Sequence, residues 1–215
     1  MASVDADTLQ PLELSAAPDP NAGLYGWSLA SDERFTYLYG HCYRQFGFGW
    51  LGHDSCAAEL TVARTSHDLA RPIEYWDGTA WSRDPETAAN VAPRRAPDGA
   101  SRSVNPSQVT RAGGACIAIT KEGDWWGDRI YVDVADLPTG PFRTVAVIDA
   151  DEQDPELNNY FAGVVASRND ELVVGLSHNR WDGHRSDVYR PTFESVSLAA
   201  LLAGPQPSTH RISAN

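Results

Sequence analysis

Lysine is nearly missing from this chain: Lys121 is the single lysine among 17 Lys and Arg residues, a bias we read as coding preference rather than function. Basic charge as a whole is short, with 17 Lys and Arg against 29 Asp and Glu and a formal net charge of −12. Nucleic-acid phosphates and an anionic membrane surface would both be repelled. No apolar run approaches the roughly 18 residues a membrane-spanning helix needs. The opening residues, Met1-Ala-Ser-Val-Asp-Ala-Asp7, have neither the basic nor the apolar region of a secretory signal. Helical periodicity is sustained nowhere, and residues 197–203 could form only a short turn.

Several chemistries lose support in the same way. No serine sits in a nucleophile-elbow motif, so Ser-His-Asp catalysis is not indicated. Three cysteines without a second close pair do not make a zinc site. The acidic run Asp149-Ala-Asp-Glu-Gln-Asp-Pro-Glu156 lacks the alternating spacing and central glycine of a calcium loop and reads as a solvated connection. Nothing calls for a cofactor.

What is present is a β-pattern that recurs three times. Its clearest copy runs Gly26-Trp-Ser-Leu-Ala30, Phe35-Thr-Tyr-Leu-Tyr39, Ala58-Glu-Leu-Thr-Val-Ala63 and Ile73-Glu-Tyr-Trp76. A second copy starts at Ser107 and a third at Tyr160. Antiparallel β-units of roughly 40–50 residues point to a propeller, and propellers close with about four to eight blades. Three copies cannot close a ring, so the fold expected is all-β, an incomplete propeller of about three blades. The blades fall at about 24–83, 107–150 and 159–198, within a propeller region 24–203. Residues 1–23 read as a linker with a lone edge strand near 9–14, residues 83–106 as a polar, proline-bearing surface loop, and 204–215 as a flexible tail.

The cysteines leave two readings open. Cys42 and Cys56 flank a 13-residue loop (residues 43–55) between two strands expected to pair as a hairpin. A disulfide would staple that loop and imply an oxidising compartment; otherwise they are two small buried residues of a reduced protein. Cys116, in the apolar run Cys116-Ile-Ala-Ile119, reads as core.

Alternating strand directions place the loops of a blade alternately on two faces. One face collects Tyr25, Trp27, residues 41–53, Ser107, Gln108, residues 122–128, 158–160 and 178–190; the other carries ordinary turns at 31–34, 66–72, 113–114, 137–141 and 169–170. The first face is rich in aromatic rings, amides, histidines and charge, and loops on a rigid scaffold are where sites are usually built. Sugar rings need flat apolar partners for their C–H faces and polar partners for their hydroxyls. Trp27, His41, Gln108, Trp125, Trp126, Tyr160, His178, Asn179 and Trp181 are therefore the candidate glycan-binding residues. Glycoside hydrolysis needs two carboxyl groups about 5–10 Å apart. The inner-strand positions carry Trp27, Ser28, Ser107, Gln108, Tyr160 and Phe161 instead, which leaves Glu122, Asp124, Asp182 and Asp187 as the acids to consider.

Tyr37-Leu-Tyr-Gly40, Thr61-Val-Ala-Arg64 and Glu74-Tyr-Trp-Asp-Gly-Thr-Ala-Trp-Ser82 resemble the third blade of a secreted five-bladed propeller family. Ser107-Gln-Val109, Thr120-Lys-Glu-Gly-Asp124, Gly127-Asp-Arg-Ile130 and Leu137-Pro-Thr-Gly-Pro-Phe142 resemble its fourth blade. Leu176-Ser-His-Asn179 with Asp187-Val-Tyr-Arg-Pro-Thr-Phe193 resembles its last. That family, long catalogued as a domain of unknown function, includes bacterial and phage endo-D-arabinanases. The resemblance implies a glycan-directed protein of the cell exterior or envelope that represents the C-terminal part of a five-bladed propeller, without the early blades that commonly carry the acids. Three readings follow: a truncated glycoside hydrolase-like propeller acting on a polysaccharide such as D-arabinan; a non-catalytic glycan-binding or interaction module; and three blades whose open edges pair with a second copy or with a partner supplying the rest.

Overall fold

The computed structural model describes residues 2–4, 11–14, 25, 28–43, 55–68, 70–92, 108–121, 129–149, 157–168, 170–181, 186–203 and 210–211. Strands β1 (Ala2–Val4) and β2 (Pro11–Leu14) form an antiparallel ladder with Ala2 opposite Leu14. The edge strand expected near 9–14 is thus paired rather than alone. The first large sheet is an antiparallel meander of β3 (Ser28–Ser31), β4 (Thr36–Tyr43), β5 (Ser55–Thr65), β6 (Glu74–Trp76) and β7 (Trp81–Ser82). The second contains β8 (Gln108–Ala112), β9 (Ala115–Lys121), β10 (Arg129–Ala135) and β11 (Arg143–Asp149), and the third β12 (Leu157–Arg168), β13 (Glu171–Trp181) and β14 (Ser186–Ser197). A helix, α1 (Leu198–Leu202), follows β14, and β15 (His210–Arg211), in the stretch expected as a loose tail, pairs in parallel with β11. The three large sheets are built from residues 28–82, 108–149 and 157–197, with β15 added at the β11 edge of the second. Among the described residues no helix is long and apolar enough to cross a membrane.

The sheets stack face to face, with the second in the middle. Strand periodicity sends alternate residues of β9 to opposite faces. Ala115, Ile117 and Ile119 join Leu172, Val174 and Leu176 of the third sheet and Leu198 and Leu201 of α1 in one core. Cys116 and Ala118 join Tyr37, Tyr39, Leu60 and Val62 of the first sheet in another. Large aliphatic groups thus face the third sheet, and small ones make room for the tyrosines of the first. Burial on both sides explains why β9 and β10 read as nearly continuous apolar runs.

Residues 83–92 differ from the loose loop expected of them. Asp84 caps a 3-10 turn at Pro85–Thr87 by accepting from the N–H of Glu86. Val91 and Ala92 then enter the core between the first two sheets. Val91 N donates to Leu60 O at 2.8 Å and Val91 O accepts from Phe142 N at 2.9 Å, so this segment stitches the two sheets together. Gly140 makes the close approach feasible: its φ is +74°, and a Cβ there would lie 2.5 Å from Val91 O.

Candidate functional site

Strand polarity decides which loops share an end of the stack. Arg111, near the end of β8, lies 3.9 Å from Asp32 in the β3–β4 turn. The β8–β9 turn abuts α1, where a Cβ on Gly113 would come within 2.8 Å of Leu198 Cδ2. Asp170, in the β12–β13 turn, accepts from Ala199 N of that helix at 3.0 Å. The three turns therefore lie at one end. The starts of β3, β8 and β12 lie at the other, with the ends of β4, β9 and β13. At that second end Ser28 Oγ accepts from Val109 N at 2.6 Å and donates to Val109 O at 2.8 Å, which clamps the start of β3 to the start of β8.

The candidate glycan-binding residues that lie on described strands all fall at or near this second end. Gln108 is the first residue of β8. His41 lies near the end of β4, opposite Leu60. Tyr160 is the fourth residue of β12, beside Asn159, and Asn159 faces His178 across the β12–β13 ladder. Asn179 stands between Asn158 and Tyr189, and Trp181 closes β13 opposite Ser186, next to Asp187. Trp27, Glu122, Asp124, Trp125, Trp126 and Asp182 lie outside the described residues. The proposed cysteine pair also has its side chains outside that set, and the β4–β5 register is irregular between His41 and Tyr43, so the ladder does not set Cys42 opposite Cys56.

Gln108 has the informative side chain. It is half-buried, and its Oε1 is shielded from solvent without a hydrogen-bond partner among the described residues. A buried amide oxygen left unpaired is disfavoured and uncommon, so it marks a place where a donor from elsewhere can be accepted. An amide can bind a hydroxyl as acceptor and as donor, but it cannot serve as a general acid or base at neutral pH. Tyr25, grouped by sequence with this face, serves the packing: its ring covers Gly40 and meets Tyr75 edge-on at 5.1 Å, and burial pushes its hydroxyl up to about 12. Trp76 and Trp81 lie 5.4 Å apart and pack against the core between the first and second sheets.

Sequence reading passed over Asp133, a carboxylate buried in β10 that accepts from Thr144 Oγ1 at 2.6 Å. Its neighbours Val132 and Val134 gave no signal that a charged group would be covered. Among the described residues no three His, Cys, Asp or Glu side chains gather as metal ligands would.

These observations define an all-β protein of stacked antiparallel sheets, with Gln108, His41, Tyr160, His178, Asn179 and Trp181 placed by strand register at one end. The chain belongs to the family described as a domain of unknown function (DUF5005), whose pattern matches residues 1–198. No curated protein matches it in sequence. Among solved structures it resembles an exo-β-1,3-galactanase from Phanerochaete chrysosporium crystallised with β-1,3-galactotriose, at 11% identity and a TM-score of 0.44, over 93% of this chain and 42% of that one. An α-L-arabinofuranosidase from Clostridium thermocellum matches at 11% identity and a TM-score of 0.43, over 79% of this chain and 55% of that one. A GH43 β-1,3-galactosidase with bound galactodeoxynojirimycin matches at 11% identity and a TM-score of 0.44, over 94% and 66%. The chain thus spans under two thirds of the first two.

Proposed function

We propose that this chain is a three-blade propeller arc of glycoside hydrolase-like descent that binds a polysaccharide at the strand end carrying Gln108. The partnerless amide oxygen of Gln108 is the observation that carries this reading. Sugar hydroxyls are donors of the kind this oxygen lacks. Aromatic and amide residues at the same end, together with the resemblance to endo-D-arabinanase propellers, favour a cell-envelope glycan such as D-arabinan and an extracellular setting.

Binding is favoured over catalysis. Gln108 holds an inner-strand position where a hydrolase of this type would place an acid, and an amide supplies no proton. The acids that would contradict this are Glu122, Asp124, Asp182 and Asp187. If they act, partial blades suffice for hydrolysis; if they do not, catalysis requires further blades contributed by a partner or by more chain.

The test is calorimetric titration of the purified protein with D-arabinan oligosaccharides, run beside an assay for released products. Saturable binding without release is expected, and Gln108→Ala is expected to weaken it by about tenfold, the value of one well-made hydrogen bond in a dry site. The same substitution removes an unpaired oxygen and is expected to leave the thermal midpoint unchanged or slightly raised. Unaltered affinity in Gln108→Ala would move the binding surface elsewhere, and release of oligosaccharides would restore the hydrolase reading.

A further inference from the structure

The opposite end of the stack, which reads in the sequence as plain turn chemistry, contains an open cleft of about 460 Å³ lined by Arg34, Phe35, Ser66, His67, Asp68 and Arg71. Two loops of the first sheet form it: the β3–β4 turn and the β5–β6 connection. Both are held by internal hydrogen bonds. Asp32 Oδ1 accepts from Arg34 N at 2.8 Å and Phe35 N at 2.9 Å, while Asp32 Oδ2 accepts from the Tyr37 hydroxyl at 2.7 Å. On the other loop, Asp68 Oδ1 accepts from Ser66 Oγ at 2.5 Å and Ala70 N at 3.1 Å, and Thr65 Oγ1 donates to Arg71 O at 2.8 Å. The loops meet where Thr36 Oγ1 lies 3.1 Å from His67 Nδ1.

These bonds occupy nearly every nearby carboxylate. Asp32 caps its own turn and pairs with Arg111; Asp68 closes its own loop; Glu74 pairs with Arg64 at 2.8 Å. Arg64 is itself stacked over Phe35 at 4.4 Å and Trp81 at 4.2 Å. Glu33, exposed next to Arg34, does not line the cleft. Arg34 and Arg71 are left without an ion-pair partner among the described residues. Arg34 lies over the Phe35 ring at 5.5 Å and Arg71 acts on the Asp68 carboxylate only at longer range, so in a protein of net charge −12 the cleft presents two guanidinium groups that make no close ion pair of their own.

We propose that this cleft binds an oxyanion, with the Arg34 and Arg71 guanidiniums as its donors. Arginine presents paired N–H groups in a fork that matches carboxylate and phosphate oxygens. The braced loops reduce the ordering cost of bringing the two forks together. The site is separate from the strand end of Gln108, and its fate does not depend on whether that end binds glycan.

Three probes distinguish the sources of such a group: trigalacturonate for a sugar carboxylate, inorganic phosphate for a phosphate ester, and galactotriose as a neutral control. Arginine Nε–Hε signals are followed by NMR during titration, with affinity taken from calorimetry. The expected result is saturable, salt-sensitive binding of trigalacturonate or phosphate that shifts the Arg34 and Arg71 signals, the tighter of the two naming the source. Replacing both arginines (Arg34→Gln with Arg71→Gln) should weaken that binding by about tenfold or more at an unchanged thermal midpoint, and Arg71→Gln alone should weaken it less. The proposal is overturned if neither anion moves those signals, if galactotriose binds as well, or if the double variant keeps wild-type affinity.

Discussion

A single hydroxyl joins the first two sheets where they begin. Ser28 is 5% exposed, and its Oγ both accepts from and donates to the backbone of Val109. β8 is an edge strand of its sheet, so on its outer side the polar groups of Val109 need a partner that is not a neighbouring strand. Few side chains can supply a donor and an acceptor from one atom. Ser28→Ala removes both and strands two buried backbone groups, and we expect a loss of about 1–3 kcal/mol in urea unfolding. A loss below a few tenths would mean that water replaces the hydroxyl and that the clamp is unimportant. Nothing in the sequence distinguishes Ser28 from the serines around it, because its role depends on a residue 81 positions away. Gln108 was legible as a candidate, whereas the isolation of its oxygen was not, since that depends on which groups the fold leaves out of reach.

The middle sheet shows how far pattern alone carries the fold. Its strands were readable as short apolar runs between turn signals, and Gly113-Gly114 and the Leu137-Pro-Thr-Gly-Pro141 turn were readable as breaks. The two-residue strand β7 was not, because so short an element has no period to detect. Val91 and Ala92 escaped for a related reason: two apolar residues in a polar stretch show no alternation, yet both are core. Division of labour along β9 was equally hidden, although its cause is simple once the neighbours are known. Ala118 must be small because it faces the layer of Tyr37 and Tyr39. Tyr39 is fully buried and spends its hydroxyl on Pro138 O at 3.0 Å, so it cannot turn aside. Ala118→Leu is therefore expected to overpack this layer and cost about 1–3 kcal/mol, read from the chemical-denaturation midpoint. A neutral outcome would show slack between the first two sheets that the packing does not suggest.

At the scale of the molecule the three layers are unequal. The second sheet is covered on both sides, but the third is covered on one: Ala162, Leu172, Val174 and Leu176 face the core, while Val165 and Phe193 are each 60% exposed on the other side of the same sheet. These two residues flank Gly175, where a Cβ would meet Val165 Cγ2 at 2.5 Å and Phe193 Cδ1 at 3.5 Å, so they form one apolar strip. Binary patterning identified both as strand residues without telling which side would be covered, because alternation marks faces and not their occupants. The asymmetry gives paired expectations. Ile119→Ala, at a fully buried position of the central layer, should cost about 2–5 kcal/mol by emptying a packed site. Phe193→Ala should cost about 0.5 kcal/mol or less, since most of the ring already contacts water. Both are measured by urea unfolding at several protein concentrations. If Phe193→Ala proves as costly as Ile119→Ala, and the cost grows with concentration, the strip is covered in solution by a second copy, and the third sheet is an inner layer of a larger assembly. If the small loss holds at every concentration, the strip is an open sheet face that the chain tolerates, because its stability is concentrated in the two cores on either side of the middle sheet.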